Sequence, residues 1–110
     1  MRTAILKLQK IGQMPGESLA DDERTDLLVE QYDELLSGIE KPITPEEGEV
    51  LIRLFPQTAF YDLQWDLLQL VESLYGKINN EEYFLLIQQC PSTEWRAALS
   101  SRYENAQKKH

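Results

Sequence analysis

Helix punctuation constrains this chain more than any other feature. Thr44-Pro45-Glu46-Glu47 places a hydroxyl before a proline and an acid three residues after the hydroxyl. In that pattern the cap oxygen takes a backbone amide, proline fills the first helical position, and the acid returns to the cap's own amide. Gly38 and Gly76 follow apolar stretches as stops, Pro56 and Pro91 interrupt others, and Asn79 stands three residues before Glu82 as a second start signal. No Asn-Gly or Asp-Gly turn joins alternating apolar residues, so the hairpin signature of an antiparallel sheet is missing. The expected class is all-α, about five helices in a compact antiparallel bundle or stacked helical hairpins, with residues 1–110 forming a single helical domain.

The periodicity places those helices. Leu28, Tyr32, Leu35, Leu36 and Ile39 recur at steps of three and four, predicting an amphipathic helix from about Leu19 to Ser37 that Gly38 ends in a left-handed cap. A second helix follows Thr44, runs to about Phe55 and buries Leu51, Leu54 and Phe55. A third begins at Gln57 or Thr58 and reaches Tyr75, with Leu63, Leu67, Leu70, Val71 and Leu74 as its core stripe. Tyr83-Phe84-Leu85-Leu86-Ile87 covers nearly a whole helical circumference, which predicts a central helix after Asn79, although a buried strand satisfies the same run. Ser92 or Thr93 starts the last helix, with Trp95, Leu99 and Ala106 inward. Thr3 to Ile11 fits a helix or a strand.

Charge is distributed unevenly. Twelve of the nineteen carboxylates lie between Glu17 and Glu49, opposed there only by Arg24 and Lys41, for a local net charge of −10; both ends of the chain are +3 and the whole is −8. A one-signed field of this kind repels nucleic acid and anionic membranes and steers basic proteins. Asp22, Asp26, Glu30, Asp33 and Glu34 fall three and four apart, opposite the apolar stripe of the first long helix, and so form a face. Like charges four apart on a helix cost roughly 0.2–0.5 kcal/mol a pair, about 1 kcal/mol over Asp22–Asp26, Asp26–Glu30 and Glu30–Glu34. Solvated faces usually alternate signs, so this uncompensated repulsion points to a binding surface. On the Leu63 helix, Trp65 lies away from the leucine stripe beside Tyr61, Asp62, Gln69 and Glu72: an interface anchor, unless another helix covers it.

Catalytic signals are weak. The one histidine, His110, is the last residue and is expected to fray, which excludes an oriented imidazole base. The carboxylates share one solvated environment, whereas an acid–base pair needs two unlike ones. No calcium-loop pattern or glycine-rich phosphate loop occurs, and the single cysteine, Cys90, is expected to be a buried, inert thiol. The expectation is a protein that is not an enzyme and needs no metal or cofactor. One cysteine and the lack of a long apolar run predict a cytoplasmic protein that does not enter membranes.

Leu51-Ile52-Arg53-Leu54-Phe55-Pro56, followed by Leu63-Gln64-Trp65-Asp66-Leu67-Leu68-Gln69-Leu70-Val71-Glu72, resembles a pattern of small bacterial proteins in which a Leu-Phe step leads to a Leu-x-Trp-x-Leu-Leu-x-Leu-Ile-Glu helix. Trp95-Arg96-Ala97-Ala98-Leu99-Ser100-Ser101-Arg102 is similar to their closing Trp-x-x-x-Leu-x-x-Arg helix. Those proteins are immunity proteins of polymorphic toxin systems, cytoplasmic inhibitors that bind and block a cognate toxin. The resemblance covers residues 44–76 and 90–105; this chain has Phe60-Tyr61-Asp62 where a small residue is frequent and Gln69 where histidine is common. It implies a toxin inhibitor and carries over no contact residues.

The leading expectation is therefore an immunity-type inhibitor whose partner is a basic protein, a cognate toxin domain with a nuclease as the candidate. Asp22, Asp26, Glu30, Asp33 and Glu34 are its electrostatic face, and Tyr61 and Trp65 its anchors. The alternatives are a helical adaptor or regulatory protein-binding module unrelated to toxins, and a homodimer that uses Trp65.

Overall fold

The computed structural model describes residues 2–14, 23–57, 60 and 62–108. Among these the regular structure is entirely helical: α1 (Thr3–Ile11), α2 (Glu23–Ser37), α3 (Pro45–Ile52), α4 (Leu63–Glu72), α5 (Asn80–Ile87) and α6 (Thr93–Lys108). The all-α expectation holds with six helices instead of about five, the addition being α1. Helical spacing turns Ile5 and Leu8 to one side, where both are fully buried, whereas a strand would send them to opposite faces. Gly12 closes α1 at φ 91°, a conformation glycine adopts without steric penalty, with its amide on the Leu8 carbonyl at 2.9 Å.

α1 packs on α2 and α3, α4 packs behind on the same two helices, and α5 joins α3 to α6. Tyr32 of α2 donates its hydroxyl to the Gly12 carbonyl at 2.6 Å and meets Phe60 edge-to-face, so one side chain ties α2 to the end of α1 and to the approach to α4. Leu51, Leu67, Val71, Ile87 and Leu99, one or more from each of α3 to α6, are fully buried in the core. Each such side chain stabilises the fold by about 1.5–3 kcal/mol relative to exposure.

The α3 start is as expected. Thr44 Oγ1 accepts the Glu47 amide at 3.2 Å while Glu47 Oε1 accepts the Thr44 amide at 2.8 Å. The fold adds a second use for Glu47, whose other carboxylate oxygen lies 3.2 Å from Arg2 Nε. Gly48 is a packing position: a Cβ there would lie 2.5 Å from Leu74 Cδ1.

Several boundaries differ from expectation. Gly38 is not left-handed; α2 ends instead in a tight turn in which the Ile39 amide reaches the Leu36 carbonyl at 3.2 Å, drawing Ile39 into the core. α3 stops at Ile52, short of Phe55, because its last turn tightens as Leu54 donates to Leu51 at 3.0 Å. α4 starts at Leu63, well after Gln57. Buried Gln64 turns its side-chain oxygen back to the Phe60 amide at 2.9 Å, and Asp62 at φ 64° is left-handed, which sets Asp62 outside the right-handed helix. The part of α2 expected from Leu19 lies outside the described residues.

At α5 the run Tyr83–Ile87 is helical, settling the helix-or-strand alternative, but the helix is not central. Tyr83, Leu86 and Ile87 are buried, while Phe84 and Leu85 are exposed, at 42% and 57%. Only one side of α5 meets α3 and α6. Its cap departs in detail: Asn79 Oδ1 takes the Glu82 amide at 2.7 Å, while the Glu82 carboxylate bonds the Asn79 side chain and not its backbone. Before α6, buried Ser92 accepts the Trp95 amide and donates to the Gln57 carbonyl at 2.7 Å, so one hydroxyl caps the helix and pins the loop after α3. Trp95 and Leu99 are buried and Ala106 is half-buried, as the periodicity required.

Candidate partner-binding surface

Burial of Tyr32 and Leu36 fixes the rotation of α2, and the opposite side of the helix then faces water. Asp26, Glu30, Asp33 and Glu34 lie on that side, all exposed. Among the described residues none of the four forms an ion pair; the two ion pairs present are Arg2–Glu47 and Arg102–Glu72. Repulsion between Asp26 and Glu30 and between Glu30 and Glu34 is therefore relieved only by solvent and salt. Asp22 and Tyr61 lie outside the described residues.

Two features of this face were missed in the sequence. Leu27 is 60% exposed and shares the acidic side, one turn from Glu30 and Gln31, so an apolar side chain stands at the edge of the carboxylate row. Its position on the outer arc of the α2 wheel was the available signal. The second is a groove of about 370 Å³ between α1 and α2, lined by Lys7, Lys10, Ile11, Gln31, Glu34 and Leu35. Its lysines bring positive charge to the Glu34 edge without closing to an ion pair. The face is thus purely acidic along Asp26, Glu30 and Asp33 and mixed at Glu34. Nothing local in the sequence links Lys7 to Glu34.

Trp65 belongs to a different neighbourhood. It is 47% exposed and stands edge-on to buried Trp95 of α6, ring centroids 5.0 Å apart, while Trp95 stacks on Phe55. α6 therefore covers one edge of Trp65 and water the rest. Its ring partner lies on α6, and among the described residues no ring contact, hydrogen bond or ion pair links Trp65 to the carboxylates of α2. On the same side of α4, Glu72 takes two hydrogen bonds from Arg102, at 2.6 and 2.9 Å, beside a cluster of Tyr75, Tyr83 and Tyr103. Burial, reinforced by the Glu72 charge, holds the Tyr83 hydroxyl well above the usual phenol range, and the Arg102 guanidinium is pushed up by its bonds to Glu72.

Chemically the arrangement offers recognition. Among the described residues no group of three histidine, cysteine or acidic side chains converges to hold a metal ion, and no helix is long and apolar enough to cross a membrane. Cys90 is buried, and burial pushes its thiol up, away from the thiolate that nucleophilic chemistry requires. No family model, curated protein or solved structure matches this chain.

Proposed function

We propose that this chain is an immunity-type inhibitor that binds a basic toxin domain, a nuclease being the candidate, through the acidic face of α2 and neutralises it without catalysis. The observation that carries this reading is the row of Asp26, Glu30 and Asp33, exposed and unpaired among the described residues, with exposed Leu27 at its edge. A helix retaining such repulsion at a cost of roughly 0.2–0.5 kcal/mol a pair has a use for one-signed charge. Opposite charge on a partner accelerates encounter and sets register, and the neighbouring leucine supplies the desolvated contact that charge alone does not. A reducing, cytoplasmic setting fits the lone buried thiol.

The test is co-expression of the chain with the toxin domain encoded beside it, followed by co-purification and cell survival. Protection and a stable complex, both weakened by Asp26→Lys with Glu30→Lys, are the expected results. Survival without a complex, or a complex indifferent to charge reversal and to salt, refutes the mechanism. A second reading, a helical adaptor unrelated to toxins, draws support from the exposure of Trp65 on a helix other than the acidic one; a complex with a non-toxin operon partner lost on Trp65→Ala would favour it.

A further inference from the structure

A second groove, between α3 and α5, differs in character from the lysine-edged one. It encloses about 300 Å³ and is lined by Pro45, Ile78, Leu85 and Leu86 as apolar wall, with Glu49, Glu82 and Gln89 at the rim. Among the described residues no cation lines it; Arg53 stands at one end, donating to Gln89 at 3.4 Å. Two of these residues have no account within the fold. Leu85 is a leucine left 57% exposed. Glu49 is exposed, makes no hydrogen bond or ion pair, and sits in the C-terminal half of α3, where the helix dipole disfavours a carboxylate. Glu82, by contrast, is occupied with the Asn79 cap.

We infer that the α3–α5 groove docks a basic amphipathic segment of a partner protein, with one apolar side chain against Leu85, Leu86, Ile78 and Pro45 and a flanking lysine or arginine on Glu49. The groove combines an apolar slot with carboxylates at its lip, the complement of a helix that alternates apolar and cationic positions. Charge decides against the other occupants. A second copy of the chain also carries −8, and groove against groove would set Glu49 and Glu82 on their own equivalents. An anionic lipid surface meets the same repulsion. This docking does not rest on the toxin reading, because it specifies the chemistry of the segment and not the partner's activity.

The probe is a fluorescein-labelled amphipathic leucine–lysine helix of about 18 residues, long enough to hold helical structure when bound, compared with leucine–glutamate and serine–lysine versions. Anisotropy gives affinity, and amide shifts in the labelled full chain locate the site. The expected result is saturable binding of the leucine–lysine peptide alone, shifts centred on Glu49, Leu85 and Gln89, and a loss of roughly tenfold on Leu85→Ala or Glu49→Lys. Both replaced side chains are exposed, so the fold should persist, with circular dichroism as the check. If one variant unfolds, the other and the wild-type shift map still decide. Shifts confined to Asp26, Glu30 and Asp33, unchanged affinity in both variants, equal binding of the serine–lysine peptide, or a concentration-dependent dimer that protects Leu85 would each overturn the inference. None of these outcomes bears on survival in the co-expression test, so the two proposals fail separately.

Discussion

Replacing Glu30 by lysine separates what the acidic face costs from what it does. In α2, Glu30 has Asp26 one turn before it and Glu34 one turn after it, all three exposed and none ion-paired among the described residues. The substitution converts two repulsive pairs into attractive ones. Each removed repulsion and each new pair contributes roughly 0.2–0.5 kcal/mol, the lysine-before-glutamate order at Glu34 being the weaker, so a net gain of about 1 kcal/mol is expected. For a domain of this size that is a rise of about 4 °C in Tm. The gain should shrink on going to about 1 M salt, where the screening length falls to roughly 3 Å. Urea unfolding at low and high salt measures the stability, and stopped-flow mixing with the proposed toxin domain measures association. A variant that is more stable yet associates several-fold more slowly with a basic partner identifies a surface retained against its own stability. A loss of stability, or a gain indifferent to salt, would refute the electrostatic reasoning; a gain with unaltered association would leave the repulsion real and remove its function.

Three further outcomes follow from the buried polar groups and Trp65. Glu47 is 1% exposed and Arg2 37%, so Arg2→Ala should cost only about 1–2 kcal/mol, below the roughly 3–5 kcal/mol of a fully buried pair. In a double-mutant cycle with Glu47→Gln the two losses should be less than additive; strict additivity in urea titrations would deny the contact. Burial pushes the Tyr32 hydroxyl up to about 12 from 10.0. Its contribution is therefore complete below pH 10 and is lost as the pH rises toward 12, because the unfolded chain gives up the proton first. Tyr32→Phe should flatten this alkaline decline, and an unchanged slope of stability against pH would contradict it. Trp65→Ala should lower stability by about 1–2 kcal/mol through the lost edge contact with Trp95 and buried ring surface, and leave the α2-dependent association rate unaltered. A slowed association would place Trp65 in the acidic interface after all.

The candidate site was legible to the extent that it is a property of one helix. Spacing alone placed Asp26, Glu30, Asp33 and Glu34 together, because a helical repeat converts sequence intervals into a face. Leu27 was legible on the same wheel and was passed over. Lys7 and Lys10 beside Glu34 were not legible, since their approach depends on how α1 lies along α2. Trp65 was correctly assigned off the leucine stripe, but its neighbour Trp95 comes from a helix thirty residues later. The start of α4 misled for a related reason: a composition compatible with helix yields to the Gln64–Phe60 bond and the left-handed Asp62, which make a turn only in their folded setting.

What the sequence determined by itself is therefore what short-range hydrogen bonding decides: the capping box at Thr44 and Glu47, the caps at Asn79 and Ser92, and the all-α class they imply; α4, expected to reach Tyr75 before Gly76, ends earlier, at Glu72. A helix start must satisfy amides within a few residues of its partner groups, so the pattern is written locally. Only the tertiary structure decided which apolar residues remain in water and which charges meet. Leu85 and Tyr83 belong to one apolar run, yet Tyr83 is buried against Tyr75 and against Tyr103 of α6 while Leu85 is left outside. Glu47 and Arg2 lie far apart in sequence and meet because α1 and α3 pack together. Exposure and long-range pairing depend on the relative placement of whole helices, and that placement follows from the packing of the entire core.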